Sequence, residues 1–242
     1  MKRVLTLAAA LLVFGATSAL AQAGLNLYWS GCSLDGTTST TFACNSNSGS
    51  HTMYGTVVLG VDMTDYLGTS AVVDMTFEGG AIPDWWAVNA GGCRANSASM
   101  SFDPNNNASA CTTDIWNFMN PTPVTTVQTG LHGANWVRLN GAAAIPAGSE
   151  IPLSADGTEY WVFRVSINHQ KTTGTGSCAG CDVAACIVLN ECKLQTPLGA
   201  HDQQLTQEST NRWLTWNGTP ANCPASTPAL NRTWGAVKNL YR

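Results

Sequence analysis

Four of the nine cysteines in this 242-residue chain, Cys178, Cys181, Cys186 and Cys192, follow the spacing C-x2-C-x4-C-x5-C. That resembles a zinc knuckle with Cys in place of His, and four thiolates could hold the metal in a tetrahedron. Cys178-Ala-Gly-Cys181 also has the spacing of a redox dithiol, but that chemistry needs a βαβ context that the flanking residues lack. The third possibility is oxidation. Cys32 and Cys44 flank one polar segment and Cys93 and Cys111 another, so local bridges are expected there. Cys178–Cys181 and Cys186–Cys223 would pair four of the remaining five. Cys192 lies within an apolar strand, where a thiol acts as a small core residue, and it is expected to be the one left over.

The other chemically suggestive groups are weaker patterns. Asp103, Asn105, Asn107 and Asp114 fall at positions of a calcium loop, but Ala108 stands where the turn glycine belongs and Asp114 replaces the bidentate Glu. An Asn-rich surface turn explains the same residues, and no metal or other cofactor is expected. Asp62 and Asp65 form a close acidic pair in a turn, and Glu150, Asp156 and Glu159 surround another. A sandwich glycosidase needs two positioned carboxylates, and neither group offers that spacing on one strand. The four His residues (51, 132, 169 and 201) are scattered. Gly-x-Ser-x-Gly, His-Glu-x-x-His and phosphate-loop patterns are absent. Nine tryptophans are more unusual. Trp29, Trp136 and Trp161 sit in apolar alternation and read as core, whereas Trp85, Trp86 and Trp213 are candidates for exposed rings that stack on sugars.

Residues 1–21 read as an export signal: Lys2 and Arg3, an apolar stretch from Val4 to Phe14, then Ala19-Leu20-Ala21 before Gln22. The expected location is therefore secreted, whether extracellular, cell-surface or periplasmic, where thiols oxidise to disulfides. The mature chain has no other apolar run of about 18 residues, so no membrane span is expected. Charged residues make up only 11% of the chain, with a net charge of −4. Eleven Lys and Arg, spread thinly, form no basic patch for nucleic acid. Polarity comes instead from Thr, Gly, Asn and Ser, which suit strands and turns.

The elements that must position these groups are strands. Period-two alternation marks 25–29, 52–63, 71–78, 97–102, 136–139 and 159–169, and further strands are read at 186–194, which starts as a continuous apolar run, and 212–216. Gly, Asn, Pro and Ser clusters such as 45–50 and 104–109 separate them. Residues 83–88 could form one helical turn, and 233–241 a short C-terminal helix or a strand packed on the body. About eight or nine strands predict an all-β fold, a two-sheet antiparallel sandwich of jelly-roll or immunoglobulin-like type, with 22–242 as one disulfide-stapled domain.

The ending Thr233-Trp234-Gly235-Ala236-Val237-Lys238-Asn239-Leu240-Tyr241-Arg242, with the Cys-x-x-Cys-plus-strand segment 178–189, resembles a group of exported proteins of environmental bacteria. The likeness extends from Leu25-Asn26-Leu27-Tyr28-Trp29 onward. It implies bacterial export and carries no activity.

The expected function is a secreted or cell-surface binding or structural module, with carbohydrate or further copies of itself as partners. Each reading makes a structural demand. A glycan binder needs an exposed aromatic cluster with convergent polar groups. A self-assembling surface-layer or appendage subunit needs a flat apolar patch or an unpaired strand edge. A glycoside-active enzyme needs a cleft where two acids, or an acid and a His, converge.

Overall fold

The computed structural model describes residues 22–107, 111, 113–220 and 223. The expected export signal 1–21 and the C-terminal segment 233–241 lie outside these residues. Among the described residues fourteen strands run in chain order: β1 Gly24–Trp29, β2 Ser39–Thr40, β3 Ser50–Val58, β4 Met63–Tyr66, β5 Gly68–Phe77, β6 Ala98–Ser101 and β7 Thr113–Asp114. They continue as β8 Thr122–Thr129, β9 Trp136–Ala144, β10 Ile151–Leu153, β11 Glu159–Asn168, β12 Ala185–Gln195, β13 Gln203–Leu205 and β14 Trp213–Trp216. One sheet has the order β1-β3-β11-β6, with β7 also on β11. The other runs β2-β14-β12-β5-β9-β8, with β13 also on β12, while β10 and β4 form a separate pair.

The architecture is the expected two-sheet sandwich, with two departures from the sequence reading. The pairing is mixed rather than wholly antiparallel, because the two-residue strands β7 and β2 join β11 and β14 in parallel. The strand number is also higher, because five short strands and the exposed β8 lack the alternation that burial imposes. The other strands follow their side chains. In β5, Ala71, Val73, Met75 and Phe77 are buried between the sheets, and in β11 Phe163, Val165 and Ile167 oppose them, while a bulge between Trp161 and Phe163 puts Trp161, also buried, on the other face. Each such side chain, fully buried, contributes roughly 1.5–3 kcal/mol. The expected turn at 83–88 is a 3-10 turn over Asp84–Trp86.

Two glycines let the layers meet. Phe163 packs directly over Gly55 on the neighbouring strand, and Gly141 of β9 admits Met100 and Phe102 from the opposite sheet. Any Cβ at Gly141 would collide with the Met100 sulfur and would lie 2.8 Å from the Phe102 ring.

The disulfides correct three expected pairings. Cys32 joins Cys111 rather than Cys44, Cys44 joins Cys181, and Cys93 joins Cys178 rather than Cys111. Cys186 is bonded to Cys223, and Cys192 is buried and unbridged. Sequence neighbours do not pair because loops far apart in the chain converge in space. The segment after Cys93 enters the first sheet as β6, so it does not close on itself as a local loop.

Candidate functional site

The two long sides of the sandwich differ. On one side the β1 edge is closed: Leu25 N–H donates to the Gln207 carbonyl, Leu27 N–H to that of Asn211, and Ser209 N–H to that of Leu25. The neighbouring edge of the larger sheet ends in the two-residue β2. On the other side β6 and β8 terminate their sheets, and among the described residues no strand pairs with the outer edge of either. A groove of about 320 Å³ runs between them, lined by Val88, Ala98, Met100, Thr125, Val127 and Leu139 among others. Gly141 stands directly opposite Thr125, and the missing side chain makes room there for Met100 and Phe102.

Strand β8 reads Thr-Pro-Val-Thr-Thr-Val-Gln-Thr. It carries no charge, and only Val127 is even partly buried. Its hydrogen-bonding phase is fixed by its pairing with β9. Gly130 N–H donates to the Trp136 carbonyl, and the register keeps a constant offset from Thr129↔Val137 to Thr122↔Ala144. Even-numbered residues of β8 therefore bond to β9, because antiparallel strands alternate bonded and non-bonded pairs. Pro123, Thr125, Val127 and Thr129 turn their backbone groups to the open edge. Pro123, which has no N–H, sits at an outward position, where a strand tolerates proline. Three of the six large apolar side chains that are exposed, Phe118, Val124 and Leu131, flank or belong to this strand.

A second constellation fills one end of the sandwich. The His169 Nδ1 lies 2.8 Å from the Ser48 carbonyl oxygen, which can only accept, so this nitrogen carries the proton. The His169 Nε2 then accepts from His51 Nδ1 at 2.8 Å. Phe42 stacks on His169 at 4.0 Å between ring centres, and Trp216 meets His51 edge-on at 4.8 Å. Burial, and secondarily the neighbouring His169, lowers the pKa of His51. Beside them, Arg94 is fully buried. It donates to the carbonyls of Gln170, Trp85 and Asn168, and its guanidinium carbon lies 3.5 Å above the Trp85 ring. Burial lowers its pKa to about 10. The Cys44–Cys181 and Cys93–Cys178 bridges hold the loops around this nest.

The residues singled out in the sequence are dispersed. Trp85 and Trp86 are both 0% exposed, so neither offers a face to a sugar. A 3-10 turn packs both rings into the core, Trp85 donating to Thr172 and both lying against Trp216. Trp213, half-buried, lies apart from them on the outer face of β14. Asp103 caps its own turn by accepting from Asn105, and Asn107 donates to the Cys111 carbonyl. Asp114 instead accepts from the backbone of Trp116 and Phe118, so the two carboxylates serve separate turns. Glu159 accepts from Asn26, Thr56 and Ser33. Glu150 and Asp156 accept from nearby turn amides, and Asp62 reaches the Ala155 amide. His132 lies edge-on against Trp136, and His201 lies 3.7 Å from Asp65. The sequence does not single out the open β8 edge. Its signal, a run dense in Thr and Val, is present, but it lacks alternation.

A scan of family models and a search of curated proteins returned no match. Among solved structures the chain is similar to the second type II cohesin module from the cellulosomal adaptor ScaA scaffoldin of Acetivibrio cellulolyticus. The identity is 12% over 82% of this chain and 98% of that one, with a TM-score of 0.37. The fold and site define a disulfide-stapled all-β sandwich whose β6–β8 side is unpaired among the described residues. No described helix is long and apolar enough to cross a membrane.

Proposed function

We propose that this chain is an extracellular binding module that recognises protein, taking an extended segment onto the open edge of β8 above the apolar groove. The observation that carries this reading is the eight-residue, charge-free edge, unpaired among the described residues. Natural sheets usually protect such edges with charge, bulges or covering segments, and an added strand satisfies the free N–H and C=O groups while alternate side chains enter flanking pockets. The groove lining carries no ionisable side chain, so it suits apolar side chains rather than acid–base chemistry. Export is supported by the signal-like residues 1–21 and by four disulfides in one chain.

The test sets a peptide-display selection on the purified mature chain beside a glycan array. Selected peptides should be extended and alternate apolar residues. They should slow hydrogen exchange at Thr125, Val127 and Thr129, and lose binding to the Val127→Pro variant. Glycan retention with β8 amides still exchanging freely, or selection of peptides that leave those amides unprotected, would overturn the proposal.

A further inference from the structure

We infer that the β8 edge pairs with the β8 edge of a second copy of this chain, forming a two-fold-symmetric dimer in which the two larger sheets become one. The inference rests on the reading of β8 as a strand-accepting edge and adds the partner's identity. Three observations select a second copy. The strand is uncharged, so antiparallel self-pairing opposes no like charges, which is the usual obstacle. The donor pattern is also self-complementary. Outward residues must face outward residues, so a two-fold register centres on a single residue.

Centring on Thr126 lets Thr125 N–H donate to Val127 of the second copy, Val127 to Thr125, and Thr129 to Pro123. This uses every outward donor that the phase of β8 provides, and it keeps Pro123 to Thr129 of both copies overlapped. Centring on Thr125 sends the Thr129 donor beyond the strand, and centring on Val127 shortens the overlap. The chosen register leaves Pro123 opposite Thr129 at each end, where the missing N–H costs least. On the outer face it sets Val124, now 67% exposed, beside Gln128 of the second copy.

The third observation concerns closure. The far edge of the larger sheet offers only the two residues of β2, and the β1 edge is held by residues 207–211. The open β6 edge has only four residues, so among the described residues pairing at β8 leaves no equivalent long edge for a further copy, and the assembly stops at two and does not grow into a filament.

Sedimentation equilibrium across a concentration series up to about 1 mM, combined with hydrogen exchange, tests this. The expected result is a monomer–dimer equilibrium in which amides of Thr125, Val127 and Thr129 become protected as concentration rises. The double variant Thr125→Pro/Val127→Pro removes two outward donors without touching the β8–β9 ladder, and it should weaken association at least tenfold. Non-bonded antiparallel pairs hold Cα atoms about 4.5 Å apart, within disulfide reach. Thr126→Cys should therefore cross-link two chains on oxidation, whereas Val124→Cys should not. The cross-link keeps the test valid if the proline variant folds poorly. A monomer at every concentration would remove the second copy as partner, while peptide capture at β8 could still stand. Dimers that survive the proline variant and fail to cross-link through Thr126→Cys would place the interface elsewhere. Protection of β8 independent of concentration would assign the edge to the same chain and overturn the dimer.

Discussion

His51 and His169 form a hydrogen-bonded pair that needs one unprotonated ring nitrogen between them, so the two rings cannot both be charged. The His169 Nδ1 donates to the Ser48 carbonyl, which leaves its Nε2 facing His51 Nδ1. Burial in the nest of Phe42, Trp29 and Trp216 lowers the pKa of His51. A base with a lowered folded pKa binds more protons when unfolded, so it contributes stability above its ordinary value of about 6.5. That contribution is lost as pH falls from there through the folded pKa. The midpoint of thermal unfolding should accordingly drop between pH 7 and the carboxylate range, and His51→Gln should flatten the slope in that window. An unchanged slope in the variant would show that the pair does not couple to folding. Acids such as Asp202, whose pKa is lowered by Lys193 and the Thr196 amide, act in a separate, more acidic window. Neither His51 nor His169 announced this role in the sequence, because 118 residues separate them and only β3–β11 pairing joins them.

At the level of elements, Gly141 shows how one missing side chain shapes the open side. It lies in the middle of β9, where glycine normally weakens a strand, yet its place is filled by Met100 and Phe102 from the facing sheet. Gly141→Val should force those side chains off their positions and destabilise the protein by about 1–3 kcal/mol, the usual cost of overpacking. Urea unfolding measures this directly, and an unchanged midpoint would mean that the layers can part at the groove. The buried strands β5, β6, β11 and β12 could be read from the sequence because alternation records which side chains face the core. β8 could not, since both of its faces are solvated and nothing forces a period of two. Trp85 and Trp86 misled for a related reason. Extended chain would splay them to opposite sides, whereas the 3-10 turn buries both rings. Thus the feature that best supports a function lies where burial, the main source of sequence signal, is weakest.

Across the whole molecule, three of the four disulfides link loops that strands alone do not hold, and the fourth starts from Cys186 in β12. The bridges close sequence separations of 79, 137, 85 and 37 residues. In the chain-entropy treatment, loops of this size are worth about 4 to 5 kcal/mol each, against a total stability of roughly 5–15 kcal/mol for a typical domain. Local pairing was the natural reading because each polar segment lies between two cysteines, but spacing in sequence records nothing of where the sandwich brings loops together. Cys192 stands apart, since burial pushes its thiol up to about 12 and keeps it unreactive in the folded protein. Intact mass should fall by eight hydrogens relative to the reduced chain, and alkylation without reductant should label Cys192 only after denaturation. Peptic digestion at low pH, where thiolate exchange is suppressed, should release cross-linked peptides joining Cys32 to Cys111, Cys44 to Cys181 and Cys93 to Cys178. The Cys44→Ser/Cys181→Ser variant should then lose about 2–5 kcal/mol and, because that bridge borders the histidine nest, should also lose much of the pH dependence below neutrality. Recovery of a Cys32–Cys44 or Cys93–Cys111 peptide would break this account at its base, and a stable variant with its pH slope intact would separate the bridge from the nest.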